Sequence, residues 1–191
     1  HNTANNNRTI AQTLAYFDTI AERARAVSVP LRATIACSFA SPWKDETIAV
    51  ETVLDMVARF AAGGCTTITL ADTIGKATPE VVGETIDAVR HACGVPLGLH
   101  FHDLRGNAMR NVQAGLRHGV RRFEGVLSGI GGCPFAPDAP GNLDLEALAT
   151  YVEAQGYSTG IDTAKLGAAR AALLRALDDA EPLPVRQVAA R

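Results

Sequence analysis

The chain has 191 residues, of which 47% are hydrophobic and 20% are charged, and its formal net charge is -2. This composition is typical of a globular domain and excludes a disordered, collagen-like or coiled-coil chain. The balanced charge and the lack of basic runs argue against a nucleic acid or a membrane surface as a partner. No apolar run approaches the roughly 18 residues that a membrane-spanning helix needs.

The first predicted elements follow a polar, asparagine-rich opening. Thr9 is a good N-cap, because its hydroxyl can accept a hydrogen bond from a free backbone N–H in the first helical turn. The apolar residues after it recur at helical spacing and predict one buried face, made of Ile10, Leu14, Phe17, Ile20 and Ala24. Pro30 closes this connection, and the apolar run at 31–37 predicts a buried strand.

Helices and strands alternate through the middle of the chain. We expect further strands at 65–70, 95–101 and 122–127. Three helices are expected between these strands. The first starts at Asp45-Glu46, and the second is capped by Thr78 with Pro79 as its first helical residue. The third covers 106–118.

A loop rich in glycine and proline, at 128–141, follows the last predicted strand. Two more helices are expected after it, one from Leu143 to about Ala154 and one carrying Leu166, Leu173, Leu174 and Leu177. The tail after Pro182 is predicted to be a loosely held end.

The strand starts recur about every 30 residues, which is the length of one βα unit. Repeated βα units predict an α/β fold with a parallel sheet covered by helices. Two architectures fit, an open doubly wound sheet and part of a (β/α)₈ barrel. The sequence GIGGCP at 129–134 fails the dinucleotide fingerprint at its last position, so the doubly wound nucleotide-binding fold is weakly supported.

The most specific chemical feature is His100-Phe101-His102-Asp103 at the end of the third strand. Residues i and i+2 of a strand point to the same face, so both imidazoles can approach one divalent metal ion. Two histidines that are simply packed at a strand end are an equally common outcome. The motif alone leaves both interpretations open.

A second feature is the glycine-rich stretch that carries Cys133, followed by Gly141-Asn142, in which Asn142 is nine residues after Cys133. Cys133 is a candidate acid or nucleophile on a strand-end loop, and a small buried side chain is its alternative role. Asn142 is a good N-cap for the helix expected at Leu143. The remaining cysteines, Cys37, Cys65 and Cys93, lie in apolar surroundings, and the spacing of all four favours a reduced compartment.

A third feature is Asp72, which ends the second strand. In a parallel sheet this carboxylate lies at the same edge as His100 and His102. Asp72 is a candidate general base, a partner of the metal ligands or a turn-forming residue.

Four segments, LADTIGKATP, LHFHD, SGIGGCPFAP and the later GN, together resemble the 3-hydroxy-3-methylglutaryl-CoA lyase family, whose members are metal-dependent TIM-barrel enzymes. The resemblance runs from residue 1 to about Leu166. It implies the C-terminal half of a (β/α)₈ TIM barrel of about four βα units, followed by C-terminal helices. It also implies cleavage of 3-hydroxy-3-methylglutaryl-CoA, or a close acyl-CoA analogue, to acetyl-CoA and acetoacetate.

The resemblance assigns roles to individual residues. His100, His102 and Asn142 match the family's metal ligands, and the metal implied is Mg²⁺ or Mn²⁺. Cys133 matches its catalytic cysteine. Asp72 matches an acidic residue that is important for catalysis, and Glu146, four residues after Asn142, matches a supporting acidic position.

One part of the family pattern is absent. Members carry an Arg-Asp-Gly motif on the first barrel strand, and no such motif occurs in these residues. A complete barrel takes about 250 residues and eight strands, so we interpret 1–182 as a partial catalytic domain whose partner is the missing N-terminal half-barrel, and 183–191 as a tail. We expect a cytoplasmic location, and a mitochondrial targeting segment upstream would also fit. A homo-oligomer stays open.

Three functions fit this pattern: the lyase, a related aldolase or acyl-CoA condensing enzyme of the same superfamily, and a non-catalytic metal-binding fragment. The GGCP cysteine favours the lyase, since the related enzymes generally lack it. Arg105 follows the histidine motif and either meets an anionic group of the substrate or is an ordinary surface arginine.

Overall fold

A computed structural model describes residues 1–104, 106–136 and 139–178. The described residues form one parallel sheet of four strands, with the strands in the order in which they occur in the chain. The strands are β1 (Leu31–Ile35), β2 (Cys65–Asp72), β3 (Leu97–Phe101) and β4 (Phe123–Glu124).

Helices precede, connect and follow the strands. They are α1 (Asn2–Asn6), α2 (Ile10–Ala26), α3 (Val50–Ala62), α4 (Pro79–Ala92), α5 (Asn107–Arg117), α6 (Leu145–Ala154) and α7 (Thr163–Asp178). A single 3₁₀ turn at Leu127–Gly129 follows β4. None of the helices in the described ranges is both long and apolar enough to cross a membrane.

The strand order separates the two architectures that the sequence allowed. A doubly wound sheet reverses direction at a switch point, so its strand order departs from the chain order. Here every helical crossover moves the chain by one strand in the same direction, as it does in a (β/α)₈ barrel. The predicted four βα units of a barrel are confirmed, with C-terminal helices α6 and α7 after them.

The register of the sheet gives it one apolar face and one polar face. Because side chains alternate along a strand, residues paired in register share a face. His100 pairs with Ala71 on one side and Glu124 on the other, while Phe101 pairs with Asp72. The face that carries His100 also carries these polar residues: Arg32, Thr34, Thr67, Thr69 and Glu124.

The apolar face is the core of the molecule. Side chains of β2 and β3 pack there against α3, α4 and α5, and the following are at most 1% exposed: Val53, Val57, Ile68, Leu70, Val82, Ile86, Val89, Leu99, Phe101 and Val112. Full burial of a branched or aromatic side chain stabilises a fold by about 1.5–3 kcal/mol. This core therefore fixes β3 and holds its end, with the two histidines, in place.

Helix starts were predicted correctly where a capping side chain dominates. Thr9 and Gln12 form a complete capping box at the start of α2, and Thr78 caps α4 with Pro79 in its first turn. The prediction for α3 was wrong, because Asp45 and Glu46 lie in an irregular segment and the helix begins only at Val50. The predicted tail, 183–191, lies outside the described residues.

Candidate metal centre and catalytic loop

His100 and His102 stand at the carboxyl end of β3. Their ring centroids are 5.2 Å apart and the ring planes meet at 64°. The His100 side chain is 22% exposed, and His102 is buried. The two imidazoles thus share one strand face, as the H-x-H spacing predicts, and form a pair that solvent reaches only in part.

Each imidazole is fixed through its Nδ1 atom. His100 Nδ1 lies 3.2 Å from Glu124 Oε2, and His102 Nδ1 lies 2.8 Å from the Pro140 carbonyl oxygen. A carbonyl or an ionised carboxylate can only accept a hydrogen bond, so both histidines carry their hydrogen on Nδ1. This arrangement leaves the Nε2 lone pair of each ring available to a metal ion.

Burial lowers the pKa of His100, because the charged imidazolium loses its hydration there, and the neighbouring His102 lowers it further. Glu124 and Asn142 act in the opposite direction by favouring the charged ring. The net effect is a lowered pKa, which favours the neutral imidazole, the form that binds metal ions.

Asn142 lies beside this pair. It forms an isolated antiparallel bridge with His102, and the next backbone N–H, that of Leu143, donates to the Phe101 carbonyl. The Asn142 amide donates from Nδ2 to the Ile130 carbonyl at 2.8 Å. Its Oδ1 is buried and has no hydrogen-bond partner among the described residues.

The alternative role of Asn142 as a helix cap is wrong. The helix begins two residues later than expected, at Leu145, and Asp144 caps it by accepting a hydrogen bond from the Ala147 N–H at 2.8 Å. Burial of an unpaired amide oxygen costs about 1–3 kcal/mol. Such an atom next to two histidines indicates a ligand that satisfies it.

The donors His100, His102 and Asn142 fit a divalent ion. Two imidazole nitrogens and one amide oxygen suit Mg²⁺, Mn²⁺ or Zn²⁺, with further positions left for substrate or water. No group of three or more His, Cys, Asp or Glu side chains within the described ranges is arranged to hold a metal. The third donor here is an amide, and the fit rests on its unpaired oxygen.

The loop that carries Cys133 is closed by two glycines. A Cβ atom on Gly141 would lie 2.5 Å from the Gly129 carbonyl oxygen, and one on Gly129 would lie 2.7 Å from the Asn142 carbonyl oxygen. Gly129 also has a φ of 61°, which favours glycine. Only glycine therefore allows the two ends of this loop to approach so closely.

Cys133 lies in the first part of this loop and is partly buried. Its Sγ lies 3.3 Å from His1 Nε2, a contact that the sequence did not predict, because a lone histidine in a polar opening carries no pattern. Two of the other three cysteines behave as expected for apolar residues: Cys37 and Cys65 are buried, and burial raises the pKa of both thiols. Cys93 is only partly buried.

Asp72 lies on the opposite strand face from His100, since it pairs in register with Phe101. The side chain is fully buried, and its two oxygens accept hydrogen bonds from the backbone N–H groups of Lys76 and Ala77 at 3.1 and 2.9 Å. The Asp72 carbonyl oxygen accepts from the His102 N–H at 3.2 Å. These contacts favour the turn-forming role of Asp72 over that of a base.

Burial raises the pKa of Asp72, although backbone N–H groups from Ala77, Lys76 and Gly75 and the charge of His102 act to lower it. The carboxyl group is thus held in a dry turn that supports the strand end below the histidines.

Glu146 lies in the first turn of α6 and faces α7. Its Oε2 accepts a hydrogen bond from Arg170 Nη1 at 2.7 Å, and Arg170 Nε donates in turn to Ser128 Oγ at 3.2 Å. Glu146 is therefore connected to the start of the cysteine loop through Arg170. Arg105, the candidate for contact with an anionic group of the substrate, lies outside the described residues.

Glu124 is a site residue that the sequence interpretation missed. It sits on β4 next to His100 and accepts a hydrogen bond from that ring. The available signal was the single carboxylate in the predicted strand RFEGVL. That strand is the one that follows the H-x-H strand in the chain.

The fold and these side chains define a class of protein, a partial (β/α)₈ barrel that gathers two histidines and an asparagine at the carboxyl ends of its strands. The HMGL-like family model matches residues 1–173. The chain therefore belongs to the HMGL-like family, that of the hydroxymethylglutaryl-CoA lyases.

Individual relatives agree with this assignment. The hydroxymethylglutaryl-CoA lyase of Pseudomonas mevalonii is 35% identical over 159 residues, which is 83% of this chain and 52% of that protein. The mitochondrial enzyme of Bos taurus is 34% identical over 175 residues, 91% of this chain and 54% of the enzyme. The chain thus spans about half the length of the curated relatives that it matches.

A solved structure shows the same fold. The HMG-CoA lyase from Acinetobacter baumannii, in complex with coenzyme A and 3-methylmalate, superposes with a TM-score of 0.86 at 35% identity. That match covers 100% of this chain and 62% of the solved chain. The predicted partial barrel is confirmed by this similarity as well as by the strand order.

Proposed function

We propose that this chain carries the metal-binding and cysteine-bearing half of a carbon–carbon lyase that cleaves 3-hydroxy-3-methylglutaryl-CoA, or a close 3-hydroxyacyl-CoA, to acetyl-CoA and acetoacetate. The observation that supports this most is that Asn142 bridges His102 beside the histidine pair, with its Oδ1 buried and without a hydrogen-bond partner among the described residues, while both histidines use Nδ1 for their hydrogen bonds. The membership of the HMGL-like family supplies the reaction class.

The three donors would hold a divalent ion, Mg²⁺ or Mn²⁺, between β3 and residue 142. When bound, such an ion polarises the substrate's hydroxyl and carbonyl oxygens and lowers the pKa of the hydroxyl group. The residues of this chain supply the fixed geometry: Glu124 and the Pro140 carbonyl orient the rings, and the Ile130 carbonyl orients the amide.

The reaction needs a base, a bond cleavage and an acid. A base takes the proton of the tertiary hydroxyl, and the oxygen electron pair forms the ketone of acetoacetate as the C2–C3 bond breaks. The electron pair of that bond passes to C2 and gives the enolate of acetyl-CoA, which needs one proton. Cys133 is the proposed donor, because it carries an S–H on a loop that starts and ends beside Asn142.

Asp72 has a supporting task in this proposal. Since both of its oxygens accept backbone N–H groups, it shapes the turn after β2 and supports the strand end of His102. The base is then a group at the metal centre. An acyl-CoA is the proposed substrate class, and the coenzyme A complex of the Acinetobacter baumannii relative supports that choice.

The test uses the intact protein, stripped of metal with a chelator and resupplied with Mn²⁺ or Mg²⁺. Release of acetyl-CoA from 3-hydroxy-3-methylglutaryl-CoA is followed by liquid chromatography. Cys133→Ala is expected to lose about 10²–10⁴-fold in rate, the usual contribution of a positioned acid, while still binding Mn²⁺.

Cys93→Ala is the matched control, because Cys93 is also partly buried. It lies between α4 and the amino end of β3, at the opposite edge of the sheet from the histidines. The control should keep the rate of the wild-type protein. Wild-type turnover by Cys133→Ala would refute the proposed role of the loop, and absence of turnover by the intact, metal-loaded wild-type protein would refute the lyase.

A further inference from the structure

Glu124 joins all four strands on the polar face of the sheet. Its Oε1 accepts hydrogen bonds from Thr69 Oγ1 of β2 at 3.2 Å and from Arg32 Nη2 of β1 at 3.3 Å. Its Oε2 faces His100 Nδ1 of β3 at 3.2 Å. One oxygen of this carboxylate on β4 thus accepts hydrogen bonds from β1 and β2, and the other oxygen accepts one from His100 on β3.

The space for this network comes from Gly98, two residues before His100 on the same face. A Cβ atom there would lie 2.8 Å from Thr69 Oγ1. The missing side chain lets Thr69 lean over β3 and reach Glu124, which sits on the far side of that strand.

We propose that Glu124 is the positioning residue of the metal centre: it fixes the Nδ1–H tautomer and the ring orientation of His100, so that Nε2 faces the ion. This inference rests on the metal-dependent lyase proposed above. Carboxylates that accept a hydrogen bond from a metal-binding histidine fix the tautomer and make the ring a better ligand. Arg32 and Thr69 hold the carboxylate itself in place through its other oxygen.

His102 has no such dependence, because its Nδ1 donates to a backbone carbonyl, that of Pro140. A substitution at position 124 therefore releases one of the two histidines and leaves the other fixed. We therefore expect such a variant to bind Mn²⁺ more weakly but still to bind it.

The test measures Mn²⁺ affinity by calorimetry and the His100 tautomer by ¹⁵N NMR of the metal-free intact protein. Glu124→Leu removes the acceptor at similar length, and Glu124→Gln keeps an acceptor oxygen. We expect Glu124→Leu to bind Mn²⁺ about 10–100-fold more weakly, the usual effect of losing such a partner. Its His100 signals should move toward a mixture of tautomers, and Glu124→Gln should lie between this variant and the wild-type protein in both readouts.

The matched control is Asp87→Asn. Asp87 also accepts a hydrogen bond from a histidine, His118 Nδ1 at 2.8 Å, but this pair joins α4 to the end of α5, away from the strand ends. The control should keep wild-type Mn²⁺ affinity and the His100 tautomer. If Glu124→Leu does not fold, Glu124→Asp replaces it, since its carboxylate is one methylene shorter.

A folded Glu124→Leu, or the folded Glu124→Asp that replaces it, would overturn the inference alone if it keeps the wild-type tautomer and binds Mn²⁺ within threefold of wild type. A wild-type protein that binds no Mn²⁺ would overturn both the inference and the proposed function. The two failures are therefore distinguishable in one titration series.

Discussion

Asn142 Nδ2 donates a 2.8 Å hydrogen bond to the Ile130 carbonyl oxygen, and this bond fixes which end of the amide faces the histidines. The donor end is satisfied by the loop, and the acceptor end, Oδ1, is buried without a hydrogen-bond partner in the described part of the chain. The orientation of the amide is thus set before any ligand binds.

This orientation predicts that Asn142→Ala weakens Mn²⁺ binding by about 10-fold or more, since even partners that only orient metal ligands contribute 10–100-fold. Calorimetric titration of the intact protein measures the change. Asn111→Ala is the control, because Asn111 also has a buried Oδ1 without a described partner but donates from Nδ2 to the Ala77 carbonyl below the turn. Equal losses in the two variants would show that the effect is general destabilisation.

Thiol labelling should follow burial. Cys37 and Cys65 are buried, and burial raises the pKa of both, which lowers the thiolate fraction at neutral pH. We expect iodoacetamide to modify Cys133 and Cys93 first, as shown by mass spectrometry of quenched samples. Labelling of Cys65 before Cys133 in the folded protein would contradict the placement of these side chains.

The stability of the fold should depend on pH through Asp72. Burial raises the pKa of this carboxyl above its ordinary value of 3.8, so the folded chain holds the proton more tightly than the unfolded chain. The contribution is fully present below about pH 3.8 and is lost as the pH rises through the raised pKa.

Chemical unfolding of the wild-type protein and Asp72→Asn between pH 3.5 and 7 isolates this effect, because the other titrating groups are common to both. The free energy of unfolding of the wild-type protein, relative to the variant, should fall as the pH rises. A difference that grows with pH would mean that the backbone N–H groups of Lys76 and Ala77 outweigh the cost of burial.

A core substitution tests the packing of β3. Leu99 is fully buried on the apolar face, and Leu99→Ala should lower the free energy of unfolding by about 2–5 kcal/mol. Leu174→Ala, the same change at a position that is 39% exposed on α7, should cost less than about 1 kcal/mol. Similar values for the two variants in urea unfolding would contradict the described core.

Glu146 and Arg170 should act as a pair. Their side chains are 24% and 47% exposed, so the pair contributes at most about 1 kcal/mol to stability. If Glu146 acts by holding Arg170 near the cysteine loop, Glu146→Gln and Arg170→Gln should lower turnover by similar factors, and the double variant should add little. A loss confined to Glu146→Gln would instead place Glu146 at the reacting groups.

Much of the fold was predictable because its signals are local. The apolar runs located every strand, and Thr9 and Thr78 located two helix starts, since a capping hydroxyl acts within one turn. The start of α6 was misplaced because two residues with similar capping ability, Asn142 and Asp144, stand close together. The bridge between Asn142 and His102 decides between them, and it is a contact across 40 residues of chain.

The candidate site was predictable in its residue types and less so in its geometry. The H-x-H spacing placed His100 and His102 on one face, because alternation is a property of every strand. The same rule put Asp72 on the other face, yet only the register between β2 and β3 reveals this. Glu124 was missed for the same reason, since its role depends on which strand lies beside it.

The close approach of Gly129 and Gly141 determines which changes the loop that carries Cys133 can accept. The two glycines separate the segment that carries Cys133 from Asn142, the proposed third metal ligand. Because the contact between the two glycines closes the loop, changes of length or sequence within the enclosed segment should leave Asn142 in its place beside His102.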